Sequence, residues 1–152
     1  DVGLQDRPVC SPQMYRRMIR PYQERFTEQM RARTKARIMY HSCGSVYSLI
    51  EDFIGIGVDA LNPVQVTARN MEPERLKREF GGKVVFWGGG CDTQHVLPTA
   101  SPDEIREHVR DRLRIFQPGG GYVFNQVHNI QPQVPPENIL AMYEAIRAAR
   151  PA

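Results

Sequence analysis

Residues 36–44 read Ala36-Arg37-Ile38-Met39-Tyr40-His41-Ser42-Cys43-Gly44. A short apolar run, Ile38-Met39-Tyr40, stops on two good metal ligands and then on a glycine. The run predicts a short buried strand. In an extended chain residues i and i+2 point to the same face, so His41 and Cys43 aim together while Ser42 turns away. Gly44 removes a side chain where the backbone must turn into the next helix. Two readings stay open at this point: a metal site, or a packed cysteine beside a hydrogen-bonded histidine.

The unit repeats downstream. Val46 to Ile54 predicts a helix ended by Gly55 or Gly57. Val58-Asp59-Ala60-Leu61 follows as a second strand, and Pro73 to Phe80 as a helix stopped by Gly81-Gly82. Val84-Val85-Phe86-Trp87 is a third strand, apolar throughout. Ser101-Pro102-Asp103-Glu104 is a capping box opening a helix striped by Ile105, Val109, Leu113 and Phe116. Gly119-Gly120-Gly121 resets the chain into a strand over Tyr122 to Val127, and Pro136 opens a last helix striped by Ile139, Tyr143 and Ile146. Upstream, Ser11-Pro12 starts a helix, and Tyr15, Met18, Tyr22, Phe26 and Met30 carry it to about Arg33. Pro21 inside it should kink or break it.

Continuous apolar strands alternating with amphipathic helices predict a parallel sheet covered by helices. The choice lies between an open doubly wound sheet and a (β/α)8 barrel. No Gly-x-Gly-x-x-Gly follows any strand, which weakens a dinucleotide-binding reading. Instead each strand ends in polar residues: His41 and Cys43, then Asn62 and Gln65, then Cys91, Asp92 and Gln94, then Gln126 and His128. Barrel enzymes build their sites from such strand ends. A complete barrel takes about 250 residues, and this chain has 152, opening on Asp1 without a methionine. The expectation is a single domain over residues 1–152, the C-terminal half of a (β/α)8 barrel. Asp1 and Gln5 would then end a strand lying mostly ahead of the chain. The open sheet edges would need a missing N-terminal half or a second subunit.

Composition narrows the function. The chain is 41% hydrophobic and 24% charged, with mean hydropathy −0.48. No apolar run approaches the roughly 20 residues that span a bilayer, and no signal-peptide pattern opens it, so a soluble cytoplasmic protein without membrane contact is expected. The net charge is +3, and the basic excess falls mostly on the first helix beside Glu24 and Glu28. That reads as a solvated face rather than a nucleic-acid footprint. Three cysteines, Cys10, Cys43 and Cys91, give an odd count with no disulfide framework, which fits a reducing compartment.

Thiolate plus imidazole suits zinc, at about 2.3 Å from sulfur and about 2.0–2.1 Å from nitrogen. A catalytic zinc usually takes three protein ligands, so a third must come from another strand end. His128 and Cys91 are the two candidates. His95 precedes an apolar loop and His108 lies on a charged helix face, which makes both poorer ligands. Asp1 and Asp92 are candidate catalytic carboxylates, and Asp92 could also hydrogen-bond a metal-bound histidine. Gln5, Asn62, Gln65, Gln94 and Gln126 are candidate substrate contacts. Each has a structural alternative: a strand-end aspartate caps turns, and Asn62-Pro63 is an ordinary turn signal.

Four ordered stretches carry a resemblance: Asp1-Val2-Gly3-Leu4-Gln5; His41-Ser42-Cys43-Gly44; Gly57-Val58-Asp59-Ala60-Leu61-Asn62-Pro63-Val64-Gln65; and His128-Asn129-Ile130 followed by Pro135-Pro136-Glu137-Asn138. Together they resemble the C-terminal half of the uroporphyrinogen decarboxylase superfamily, which includes cobalamin-dependent methyltransferases. The resemblance implies a (β/α)8 barrel with its site at the carboxyl ends of the strands. Its methyltransferase branch implies one catalytic zinc held by an H-x-C pair, matched here by His41 and Cys43, and by a later cysteine. That zinc binds a thiol substrate, which takes a methyl group from a methylcorrinoid carried on a corrinoid protein. The position of the later cysteine holds His128, a departure that keeps Cys91 in play. The decarboxylase branch implies a tetrapyrrole substrate, no cofactor, and an aspartate and arginines from the N-terminal part of the barrel. Histidine at position 128 resembles that branch; the H-x-C-G stretch does not. A non-catalytic, barrel-derived assembly module is a third expectation. The chain alone is expected to be inactive, with half of the barrel mouth missing.

Overall fold

The structure, a computed structural model, describes residues 1–149. Four short strands, β1 (Met39–His41), β2 (Ala60–Asn62), β3 (Val85–Trp87) and β4 (Tyr122–Val123), pair in parallel in the order β1-β2-β3-β4. Helices separate them: α1 (Pro12–Met18) and α2 (Arg20–Arg31) precede β1, and α3 (Ile50–Gly55), α4 (Pro73–Phe80), α5 (Pro102–Phe116) and α6 (Pro136–Ala148) follow the strands in turn. This is the strand-helix alternation predicted, with helices on one side of a parallel sheet.

Several boundaries differ from the prediction. The single helix expected over residues 12–33 breaks at Ile19, with Pro21 in the first turn of α2, where its missing N–H is tolerated. The expected stripe is only partly covered: Tyr15 is fully buried, whereas Met18 at the end of α1 and Tyr22 and Phe26 of α2 are exposed. The helix expected from Val46 begins as a 3-10 turn, Tyr47–Leu49, before α3. The strand expected over Tyr122 to Val127 keeps ladder geometry only to Val123. Beyond it Phe124 lies over Gly90, where a Cβ would strike its ring, and the chain rejoins β3's extension through the Cys91–Gln126 bridge. α4 has the predicted bounds, and the Ser101–Glu104 capping box is formed.

Register decides which side chains face the helices. Tyr40, Leu61, Phe86 and Tyr122 stand in one row across the sheet. Tyr40 packs on Phe53 of α3 at 4.7 Å between ring centroids, and Phe86 on Phe116 of α5 at 5.6 Å. Tyr15, Phe53, Phe86 and Phe116 are all buried in this core, each contributing about 2–3 kcal/mol. A second core lies under α5 and α6 around Leu97, Ile105, Val109 and Met142. Buried Asn138 ties α6 to the loop after β3, donating to the Leu97 and Ala100 carbonyls at 2.9 and 2.8 Å. Buried Asp52 of α3 pairs with Arg16 and Arg20 at 3.0 and 3.2 Å, clamping α1 and α2 to the rest. Asp59 fixes the entry to β1 by accepting from the Ile38 N–H at 2.7 Å and pairing with Arg31 and Arg37.

The alternate row, Met39, His41, Ala60, Asn62, Val85, Trp87 and Val123, faces away from the helices. Met39 is 52% exposed and Trp87 39% exposed on that face. Its carboxyl end carries the candidate site.

Candidate metal centre

His41 is the last residue of β1, and Asn62, the last of β2, is its partner in register. Their side chains meet: His41 Nδ1 and Asn62 Oδ1 lie 2.6 Å apart, and Asn62 Nδ2 donates to the Trp87 carbonyl at 3.0 Å. A backbone carbonyl only accepts, so this second bond fixes the amide with its oxygen toward the imidazole. His41 Nδ1 therefore carries the proton, and in the neutral ring Nε2 carries the lone pair. That nitrogen faces Cys43 Sγ at 3.6 Å. The same-face geometry read from the sequence is present.

His128, from the segment after β4, completes the group. The ligand atoms of His41, Cys43 and His128 all lie within 4.8 Å of one another, with the two rings near perpendicular at 68°. Cys91, the alternative third ligand, is wholly buried in the second core and stands outside this group. Burial and the neighbouring Asp92 push its thiol up to about 12, the mark of an inert packed cysteine.

The segment before α1 braces the centre. Gly44 has φ +87°, and a Cβ there would meet the Gly3 carbonyl carbon and the Leu4 oxygen, each at 2.6 Å. Both glycines are thus needed for backbone to lie on backbone. Ser42, turned away from the ligands as predicted, accepts from the buried Val2 N–H at 3.0 Å. Asp1 Oδ1 accepts from the Cys43 N–H at 3.1 Å and lies 3.8 Å from His41 Nε2. Gln65 accepts from the Gly44 N–H at 2.8 Å and donates to Gln5 Oε1 at 2.7 Å. Gln5 in turn donates to the Thr67 carbonyl at 2.9 Å, and Thr67 donates to Gln94 Oε1 at 3.1 Å. Val64, between Asn62 and Gln65, is a β-branched residue at φ +57°, a strained conformation held where the chain passes the site.

A cleft of about 540 Å³ opens beside the group, with Asp1, Cys43, Gln65, Gln94 and His128 on its wall. Gln5 and Asn62 support that wall from behind, through Gln65 and His41. Asp92 and Gln126 are not among its lining residues. Asp92 is buried, and its carboxylate accepts from the Gln94 and His95 N–H groups at 2.8 and 3.3 Å, capping the loop after β3. The partner role expected of Asp92 toward a ligand histidine is filled, for His41, by Asn62. His108, read from sequence as lying on a charged face, is half-buried and accepts from the Asp92 N–H at 3.3 Å. Thr93, Gln131 and Gln133 also line the cleft and had no signal in the sequence beyond lying near strand ends.

The residues fit a tetrahedral ion. At about 2.05 Å from nitrogen and about 2.3 Å from sulfur, two ligand atoms of a tetrahedral zinc stand about 3.6 Å apart, the spacing found between His41 Nε2 and Cys43 Sγ. The histidine lone pair is already aimed by the Asn62 bond, as in metal sites whose outer partners fix the tautomer. Partial burial pushes the Cys43 thiol up from its ordinary value, so an ion binding there must displace its proton. Cys43 and His128 both open onto the cleft, which leaves a face for an incoming ligand.

A family model described as Uroporphyrinogen decarboxylase (URO-D) matches residues 7–149. The uroporphyrinogen decarboxylase of Methylococcus capsulatus is 32% identical over 133 residues, covering 86% of this chain and 36% of that protein. The one from Idiomarina loihiensis is 29% identical over 148 residues, covering 95% and 39%. A solved methyltransferase from Methanosarcina mazei superposes with TM-score 0.71 at 19% identity, over 92% of this chain and 38% of that one. The chain thus spans less than two-fifths of the length of each of these relatives. The likeness to the methyltransferase shows the fold, a partial barrel of parallel strands and helices. Matched by the family model over nearly all of its length, the chain belongs to the uroporphyrinogen decarboxylase family.

Proposed function

We propose that this chain supplies one wall of the active site of a zinc-dependent enzyme that moves a methyl group from a methylated corrinoid to a thiol. The observation that carries the reading is the 3.6 Å approach of His41 Nε2 to Cys43 Sγ, with His128 beside them and the cleft open in front. Bound there, zinc supplies a positive centre that holds a substrate thiol deprotonated near neutral pH. The chain's own residues do the rest. Asn62 holds the His41 tautomer, Gly3 and Gly44 set the height of the Cys43 loop, and Gln65 and Gln94 present amides along the cleft. With a methylcorrinoid as donor, the thiolate sulfur would form the new bond to the methyl carbon while the carbon–cobalt bond breaks, both electrons staying on cobalt.

The sheet supports a second element of the proposal. Its outer strands β1 and β4 have free edges among the described residues, and Met39 and Trp87 stand exposed in the row alternate to Tyr40 and Phe86. Four further strands, from an N-terminal half of the barrel or from a second subunit, would cover both. The free cysteines fit a reducing, cytoplasmic setting. Among the described residues no helix is long and apolar enough to cross a membrane.

A second reading is favoured by the curated relatives, which carry the name uroporphyrinogen decarboxylase: decarboxylation of that tetrapyrrole without metal. The protein in its native assembly separates the two. Methyl transfer from methylcobalamin to 2-mercaptoethanol that requires zinc and is lost in His41→Ala supports the first. Conversion of uroporphyrinogen to coproporphyrinogen by zinc-stripped protein overturns it. Absence of both activities in a zinc-loaded assembly overturns it too, in favour of a non-catalytic module.

A further inference from the structure

We propose that Asp1 makes the cleft select acceptor thiols with a cationic or neutral tail against those with an anionic one. This rests on the reading of the His41–Cys43–His128 group as a thiol-binding metal centre and adds the charge class of the thiol it takes. The chain has 20 basic residues, yet among the described residues no lysine or arginine lines the cleft. Asp1 supplies the carboxylate on that wall, and the rest of its polar lining is neutral amides and a hydroxyl together with the ligand side chains Cys43 and His128.

Asp1 is held where it matters. Its Oδ1 is tied to the Cys43 N–H at 3.1 Å and stands 3.8 Å from His41 Nε2, so a thiol seated on the ligand group extends its tail past this carboxylate. The Asp1 side chain is 49% exposed, so solvent weakens its field without removing it. Gln65 cannot offset the charge, because its oxygen accepts from Gly44 and its nitrogen donates to Gln5. Gln94 keeps its NH₂ donors, as the Thr67 bond uses only its oxygen. Such a wall hydrogen-bonds neutral groups, attracts a cation and, among the described residues, offers an anionic tail no lysine or arginine partner.

The test uses protein loaded with cobalt(II) in place of zinc, whose own visible bands report the metal and whose sulfur-to-cobalt charge-transfer band reports a bound thiol. Thiocholine, 2-mercaptoethanol and 2-mercaptoethanesulfonate are titrated; none of their tails chelates the metal strongly. The thiols differ in their own acidity, so the reading is how their affinity ratio changes on Asp1→Asn. That variant leaves a free α-amino group at Asp1, where present, untouched. The ratio of thiocholine to mercaptoethanesulfonate affinity should fall roughly five- to tenfold in Asp1→Asn and be kept in Asp1→Glu. An unchanged ratio in Asp1→Asn, or tighter binding of the sulfonate than of 2-mercaptoethanol to unaltered protein, overturns the inference. Cobalt bands with no charge-transfer band from any thiol overturn the thiol-binding reading instead, and this inference with it.

Discussion

Asn62 and His41 end neighbouring strands in register, and the 2.6 Å bond between them decides which imidazole nitrogen faces Cys43. The Trp87 carbonyl orients the asparagine, the asparagine orients the ring, and the ring presents a lone pair to the sulfur. Replacing Asn62 by alanine should lower zinc affinity about 10- to 100-fold, the usual effect of losing such a partner. Asn62→Asp keeps an acceptor for Nδ1–H but loses the donor to the Trp87 carbonyl, so it should lower affinity by less than Asn62→Ala does. Competition with a chromophoric chelator measures both.

Gly44 should tolerate no side chain. Its φ of +87° and the 2.6 Å approach of any Cβ to Gly3 and Leu4 backbone combine strain with a clash that neither neighbour can relieve by a rotamer change. Gly44→Ala should cost at least about 2 kcal/mol in urea unfolding. Gly82→Ala, with nothing within 4 Å of the new carbon, is the control and should change stability by less than about 0.5 kcal/mol.

How much of this was readable from sequence follows from the range of each interaction. The facing of His41 and Cys43 is a two-residue rule, and the Ser101–Glu104 capping box a three-residue one; both stand in the structure. The bounds of α4 were legible because proline opens it and glycines close it. Register was not legible. Asn62 read as a substrate contact, and only the pairing of β1 with β2 brings it onto His41. The exposure of Tyr22 and Phe26 was hidden because periodicity marks an apolar face without showing what covers it; with Met30 they line an open groove beside Ile38 and Met39. The early end of β4 depends on Phe124 leaving the row to lie over Gly90, a contact across the sheet. Asp92 looked like a site residue because it follows a strand, yet its carboxylate is spent on the N–H groups of its own loop.

His108 should make the fold sensitive to mild acid. Burial, with Arg112 nearby, holds its imidazole below the ordinary value, and its Nε2 accepts from the Asp92 N–H. The unfolded chain therefore takes up a proton, near pH 6.5, before the folded one does. The stabilisation is complete above about pH 6.5 and is lost as pH falls toward the lower folded value, with a slope of up to about 1.4 kcal/mol per pH unit. His108→Gln offers a neutral acceptor at that place. Urea titrations at pH 7.5 and 5.5 should show a smaller difference for the variant than for the unaltered protein.

Asp52 is 5% exposed between two arginines that are half and one-third exposed. Asp52→Ala should cost about 2–3 kcal/mol, less than a fully buried pair because both arginines can turn to water. It should loosen α1 and α2 first, so hydrogen exchange over residues 12–31 should quicken before that of the sheet.

Metal content tests the central claim most directly. Equilibrium dialysis against zinc, followed by elemental analysis, should give one ion per chain, with occupancy falling sharply in each of His41→Ala, Cys43→Ala and His128→Ala while the variants keep their helical circular dichroism. Equal occupancy in folded Cys43→Ala, or none in the unaltered protein, would contradict the account.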